Sequence, residues 1–252
     1  MSTGLAAVLA GILGAVIGSF LNVVVYRLPI GESLVKPRSH CPNCDTPVSP
    51  RDNVPLLSWL FLKGRCRHCG ETISARYPAV ELLTALCFVG VVLARGFHAE
   101  LIALIPFTAA LIAISFIDLQ HKIVPNRIVA PAAIYGLVTA VAFRTHILPE
   151  LLIAGAAAFT FFLVAALINP RGMGMGDVKL AGVMGLFLGR LVIPALAIAF
   201  LAGSIVGVVL VFRHGMRSRK VGVPFAPFMA FGGLVAMLVG QQLIDFYLDN
   251  LH

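Results

Sequence analysis

Seven apolar runs, each about the twenty residues that a helix needs to cross a bilayer, constrain this chain more than anything else in it. They lie near residues 4–26, 79–95, 100–117, 127–143, 148–168, 191–212 and 225–247. Inside lipid each backbone amide and carbonyl must be satisfied within the protein, so runs of this length dictate helices. An eighth run, Val178 to Leu188, is shorter and contains glycine. The composition agrees: 59% hydrophobic residues, 12% charged residues and a mean hydropathy of +0.96 belong to the membrane class. The expected fold is therefore an all-α polytopic membrane protein of about eight transmembrane helices, with a small soluble insertion between the first and second. The first run starts almost at Met1 without a basic flank or a small-residue cleavage site, and reads as a retained span rather than a signal peptide.

Charge orients the spans. Lys and Arg accumulate in cytoplasmic loops, and the segment from Arg27 to Arg76 carries eight of the nineteen. It is placed inside, with the N-terminus outside. Crossing by crossing, the loops holding Lys122 with Arg127 and Arg171 with Lys179 then also fall inside. The four basic residues between Arg213 and Lys220 join them only if Val178–Leu188 is a real, short helix. On this topology Arg95, Arg144 and Arg190 alone face outward. Orientation and contact with anionic lipid account for the formal charge of +8, and no nucleic-acid partner is needed.

Residues 28–77 form the one substantial soluble insertion. It contains Cys41-Pro42-Asn43-Cys44 and Cys66-Arg67-His68-Cys69. Two CxxC turns about twenty residues apart give the spacing of a tetrathiolate zinc site. Cys41, Cys44, Cys66 and Cys69 are the expected ligands, and four thiolates leave no open position, so the zinc is structural. In a reducing cytoplasm structural disulfides do not persist, which disfavours a redox pair. His68 reads as a neighbour of the metal, and Cys87, in the second span, as packing. The run Pro55–Leu62, too short to span, either packs this ribbon or rests on the membrane, where Trp59 suits an interface. Gly14 and Gly18 make a small-residue face for close helix approach, and Ser19 and Asn22 share a face of the same helix. Glu81 stands one turn into the second span, where the helix dipole favours a carboxylate.

Two further acids need a reason. Asp118 closes the third apolar run, where the macrodipole disfavours an anion. Asp177 follows Gly174-Met175-Gly176 at the start of the short eighth run; it could be a helix N-cap. Two crossings separate the acids, so whatever the absolute orientation they face the same side of the membrane. Carboxyls sharing a site do not readily both ionise, which provides a general base and a general acid from identical side chains. Such a pair can hydrolyse a peptide bond at the membrane surface. Gly174 and Gly176 would let backbone pass close to a neighbour. Lys179 would balance the charge of the pair or anchor the loop, and Pro224 and Pro227 would stiffen the start of the last span or hold a substrate strand. No HExxH or GxSxG motif offers another hydrolytic route.

In these residues the chain resembles the type IV prepilin peptidases, bacterial inner-membrane aspartyl proteases of the GxGD class. Gly18-Ser19-Phe20-Leu21-Asn22-Val23, Tyr26-Arg27-Leu28-Pro29, the two CxxC pairs around Leu57-Ser58-Trp59 and Gly64-Arg65-Cys66, and Arg76-Tyr77-Pro78 with Glu81 are similar to the family's amino-terminal half. Asp118 with Ile123–Asn126, and Gly174-Met175-Gly176-Asp177-Val178-Lys179-Leu180, resemble its catalytic half. Ala226 stands where the family pattern has glycine. The resemblance implies that Asp118 and Asp177 are catalytic, and that the chain removes the leader of type IV prepilins or type II secretion pseudopilins. It further implies methylation of the new N-terminus from S-adenosylmethionine, with Gly64 and Glu81 as candidate residues for that donor. The implied division is a first helix (1–27), a tetra-cysteine insertion (28–77) and a transmembrane peptidase part (78–252), working at the cytoplasmic face. A zinc-bearing transporter relaying protons through its carboxylates is the rival reading; a membrane-tethered zinc-ribbon binding module is a third.

Overall fold

The computed structural model describes residues 2–170, 172–214 and 223–249; Arg171 and most of the basic segment Arg213–Lys220 lie outside them. The described residues form nine α-helices and no sheet. They divide into two compact units, residues 1–97 and 98–252.

The first unit is a helix pair carrying a ribbon. Helices α1 (Thr3–Arg27) and α3 (Arg76–Arg95) are long and apolar enough to cross a membrane. They approach through the small-residue face expected of Gly14 and Gly18. A Cβ on Gly14 would stand 2.7 Å from Ala85 Cα, and one on Gly18 would stand 2.7 Å from Glu81 Cα, so both positions exclude any side chain. Asn22, 3% exposed, continues this face by donating from Nδ2 to the Gly18 and Tyr77 carbonyls. Between the two helices the insertion folds as two similar knuckles. In the first, Cys41 N–H donates to Thr46 O and Asp45 N–H to Cys41 O; in the second, Cys66 N–H donates to Glu71 O and Gly70 N–H to Cys66 O. Asp45 (φ 53°) and Gly70 (φ 73°) take the same left-handed position in their respective turns. Arg67 bridges to Asp52 at 2.6 Å, and its guanidinium holds the Asp52 carboxyl below the usual carboxylate range.

The short helix α2 (Leu57–Phe61) decides between the two readings of Pro55–Leu62 in favour of the ribbon for its tryptophan. Trp59 Nε1 donates to Ile73 O at 3.1 Å, and its ring lies over Gly64, whose added Cβ would meet it at 2.9 Å. Leu60 and Phe61 face outward.

The second unit contains α4 (Glu100–His121), α5 (Asn126–Phe143), α6 (Leu148–Ile168), α7 (Met175–Leu188), α8 (Val192–His214) and α9 (Ala226–Asp249). Membrane-length apolar runs number seven over the described residues of the chain, and one of them, Met175–Arg213, contains both α7 and α8. The short helix expected at Val178–Leu188 exists. It has 14 residues, about 21 Å against about 30 Å of hydrocarbon. Gly189, at φ 57°, ends it, and a 3-10 turn (Gly189–Leu191) leads into α8. What α7 lacks in length it makes up in packing. Its Gly182 and Gly185 meet Gly155 and Ala154 of α6 backbone to backbone, too close for a Cβ at Gly185 and tight for one at Gly155, which would stand 3.1 Å from Gly182 O. Phe187 stacks on Phe107 of α4 with centroids 4.3 Å apart. At its far end the buried Arg144 donates to the Phe187 carbonyl at 2.8 Å, a cation where the helix dipole favours one.

Candidate active site

Three helix ends meet around the two acids of the second unit. Asp118 sits one turn before the end of α4, where Lys122 in the left-handed conformation (φ 54°) closes the helix by donating its N–H to Asp118 O. The carboxylate is badly placed for the dipole of its own helix, as expected. Its compensation comes from another one: Oδ2 accepts the Ala226 N–H, at the first residue of α9, at 3.1 Å. Asp118 is 5% exposed and Ala226 fully buried, so this bond is shielded from water. An anion at a helix N-terminus receives both a free amide and the positive end of the dipole.

Asp177 has the same kind of support from α7. It is not the N-cap, contrary to one reading of the sequence. Gly174 is the cap, and Asp177 lies in the first turn, its N–H donating to Gly174 O at 3.0 Å. Its carboxylate turns back toward Gly174, where Oδ2 lies 3.6 Å from the position a Cβ would take, and the charge of Asp118 acts on it. The third helical position is where the acid of a capping box stands. Asp177 is half-buried, whereas Gly174 and Met175 in front of it are exposed. No ion pair reaches either acid among the described residues. Two helix N-termini do the work that a cation does elsewhere.

The two glycines of the motif have different tasks. A Cβ on Gly176 would stand 2.6 Å from Val124 Cβ in the α4–α5 connection, so α7 can approach the end of α4 only without a side chain there. At Gly174 the added atom would be 3.6 Å from Asp177 Oδ2, an ordinary contact, and its backbone (φ −79°, ψ 145°) suits any residue. Lys179 resolves its alternatives in favour of anchoring, since Nζ donates to Asn126 Oδ1 at 3.0 Å and ties α7 to the start of α5. Pro224 and Pro227 bracket the amide that sequence reasoning missed. Ala226 departs from the family pattern in its side chain, but it is its N–H that is the hydrogen-bond partner of Asp118. Phe225, just before it, is packed against Phe162 and Phe200 with ring centroids 6.2 and 5.4 Å away, and the prolines on either side restrict the backbone there.

In the first unit the four predicted thiols converge. All four sulfurs lie within 4.8 Å of one another, and Cys41 and Cys69 are 3.7 Å apart. A tetrahedral ion with bonds near 2.3 Å requires sulfur–sulfur edges of about 3.8 Å, so the cluster could hold a metal ion. His68 is no part of it. Thr46 pulls the Cys44 thiol down to about 6 and the backbone of Cys69 and His68 lowers Cys66, whereas desolvation and the adjoining Cys69 and Cys44 sulfurs push Cys41 up to about 11, so without an ion the crowded sulfurs retain a proton that a metal would displace. Gly64, with φ 66°, makes room for Trp59. Glu81 is buried, and its Oε2 accepts Leu56 N–H at 2.7 Å where Leu56 itself has φ 62°. Both residues thus brace the insertion.

Residues 12–95 match the bacterial peptidase A24 N-terminal domain, and residues 105–212 match the type IV leader peptidase family. A prepilin leader peptidase/N-methyltransferase of Aeromonas hydrophila is 35% identical over 93% of this chain and 91% of its own length. The chain belongs to the type IV leader peptidase family. A further member, the prepilin leader peptidase/N-methyltransferase of Bacillus subtilis (strain 168), is 36% identical over 94% of this chain and 96% of its own. The type 4 prepilin-like proteins leader peptide-processing enzyme of Escherichia coli O78:H11 is 38% identical over 91% and 93%. No solved structure matches this leader peptidase chain. Both acids fall within the segment matched by the leader peptidase model, and all four thiols within the N-terminal one.

Proposed function

We propose that the chain is a bifunctional leader peptidase and N-methyltransferase. It cleaves the leader from type IV prepilins or type II secretion pseudopilins at the cytoplasmic face of the bacterial inner membrane, and then methylates the new terminus. The observation that carries the peptidase half is the meeting of Asp118 and Asp177, each at a helix N-terminus, in a chain related to enzymes so named. One carboxylate takes a proton from water as the oxygen attacks the scissile carbonyl. The partner carboxyl gives its proton toward the carbonyl oxygen, and collapse of the tetrahedral intermediate returns a proton to the leaving amine. The pair titrates as a unit, so neither role is tied to one residue. An apolar pilin helix lying in the bilayer with its polar leader in the cytoplasm presents its cleavage point at this depth.

Zinc on Cys41, Cys44, Cys66 and Cys69 would be structural. It would hold the two knuckles together in an insertion with little apolar core. S-adenosylmethionine would supply the methyl group. Gly64 and Glu81 serve that half through the shape they give the insertion, since both are occupied by Trp59 and Leu56.

Purified protein incubated with a prepilin, with and without S-adenosylmethionine, tests both halves by mass spectrometry. Loss of the leader in both samples and one added methyl in the second are expected. An unprocessed prepilin, with the protein folded, overturns the proposal. A proton-relaying transporter would leave prepilin untouched.

A further inference from the structure

Arg27, the last residue of α1, is 7% exposed. Its Nη1 donates to Ser33 O at 3.0 Å and to Pro37 O at 2.8 Å, which folds residues 33–37 back against the helix. Nothing among the described residues hydrogen-bonds its Nε or Nη2, and no carboxylate lies within ion-pairing distance. A guanidinium carries five donors in a planar fork, and a buried cation without an anionic partner is costly. Arg27 lines a cavity of about 350 Å³ in the first unit, together with Arg38, whose side chain likewise makes no ion pair among the described residues. No acid lines that cavity, and its neutral polar groups are the Ser39 hydroxyl and the Asn53 amide. Such a wall suits an anion and leaves an ammonium on any ligand without a counter-charge. Its lining also includes Val23, one turn back along α1.

The helix below the cavity continues the site. Leu9, Leu13, Val16, Phe20, Val23 and Arg27 succeed one another at alternate spacings of four and three, so they form one stripe along α1. The stripe lies opposite Gly14 and Gly18, the face that α3 occupies, and its residues from Leu9 to Phe20 are about half exposed. An apolar track along a membrane span, ending at two guanidiniums without ion pairs, matches an amphiphile with an anionic head. We infer that this cavity binds the phosphate of an anionic phospholipid, with Arg27 and Arg38 on its oxygens and the acyl chains along the stripe. The inference is independent of both reactions proposed above. Guanidinium and phosphate meet in paired, charge-assisted hydrogen bonds. A phosphodiester with a glycerol head brings one net negative charge, and hydroxyls for Ser39 and Asn53. Phosphatidylethanolamine carries the same phosphate, but its ammonium would meet no acid there. The volume, at the low end of small-molecule sites, admits a headgroup and leaves the tails outside.

Native mass spectrometry of the full-length protein in detergent tests this, by titration with phosphatidylglycerol, phosphatidylethanolamine or inorganic phosphate and with thermal unfolding as the control for folding. The first phosphatidylglycerol is expected to bind at least about tenfold more tightly than phosphatidylethanolamine, the worth of one hydrogen bond to a charged group. Arg38→Ala, which removes a side chain that hydrogen-bonds no other described residue, is expected to abolish that preference. Arg27→Lys, which keeps a cation near the two carbonyls but loses the fork, is expected to weaken phosphatidylglycerol by about tenfold. Lys36→Ala takes one charge from the same exposed loop outside the cavity lining, and is expected to leave the preference in place. Equal losses in Lys36→Ala and Arg38→Ala would reduce the binding to diffuse attraction by a basic loop and overturn the inference. A preference that survives both arginine variants overturns it as well. Inorganic phosphate that displaces the lipid at equal concentration assigns the cavity to a free phosphate and overturns the lipid assignment.

Discussion

Gly176→Ala is the most informative single change in the peptidase site. The added Cβ would stand 2.6 Å from Val124 Cβ, where carbon atoms ordinarily rest about 3.5–4.0 Å apart. The first turn of α7 must therefore withdraw from the α4–α5 connection by about 1 Å, and Asp177, the next residue, moves with it. A misplacement of about 1 Å costs on the order of a hundredfold in rate, while overpacking of this kind costs about 1–3 kcal/mol of stability. Leader removal from a purified prepilin under single-turnover conditions, beside a thermal unfolding curve, separates the two effects. Gly174→Ala is the matched control, because its Cβ meets nothing closer than 3.6 Å; a cap change of this kind costs a fraction of a kcal/mol, or less than about fivefold. Val124→Gly, which removes the opposing Cβ, is expected to restore much of the rate in the double variant. The reasoning is refuted if folded Gly176→Ala cleaves at the wild-type rate, or if Gly174→Ala is the more damaging of the two.

Ala226→Pro deletes the amide that serves Asp118 at a helix position where proline is tolerated. We expect kcat to fall about ten- to a hundredfold, the worth of a hydrogen bond to a carboxylate, with KM little changed; unaltered kcat would show that the bond does not position the acid. Metal analysis is expected to find one zinc per chain, lost in Cys69→Ser and released from the wild type as pH falls, because protons compete for the thiolates. Thr46→Val removes the hydroxyl that lowers Cys44, so Cys44 keeps its proton to higher pH and the release midpoint should move upward; a midpoint that stays or falls contradicts the assignment. Gly18→Ala places a Cβ 2.7 Å from Glu81 Cα and is expected to cost about 1–3 kcal/mol in chemical denaturation, and an unchanged curve would mean that α1 and α3 are not packed as described.

Much of this molecule was legible in the sequence because its strongest signals are covalent or periodic. Apolar runs specify helices in lipid whatever surrounds them, and paired CxxC turns carry their own geometry, so the spans and the thiol cluster could be read locally. The two acids were found by their cost, since each is an ionisable group at an apolar segment. What stayed hidden depends on neighbours remote in the chain. Gly174 and Gly176 look alike until Val124 is placed against one of them. The amide of Ala226 has no side-chain signature, and what could have pointed to it was the pair of prolines that leaves few donors in that loop. Asp177 is a favoured cap residue, yet the cap is the glycine three residues before it, because the acid is needed inside the first turn where Asp118 can sense it. Arg27 counts in the sequence only as one basic residue of a charged segment, and its bonds to the Ser33 and Pro37 carbonyls appear only once that loop folds over it.

Whether Asp118 and Asp177 work as one device is measured most directly by a double-mutant cycle on single-turnover leader cleavage. Asp118→Asn and Asp177→Asn should each remove nearly all of the rate in a folded, metal-bearing protein, and the double variant should be no slower than either, as groups acting as a unit behave. Independent losses that multiply in the double variant, or a single variant that still cleaves well, would contradict a shared site.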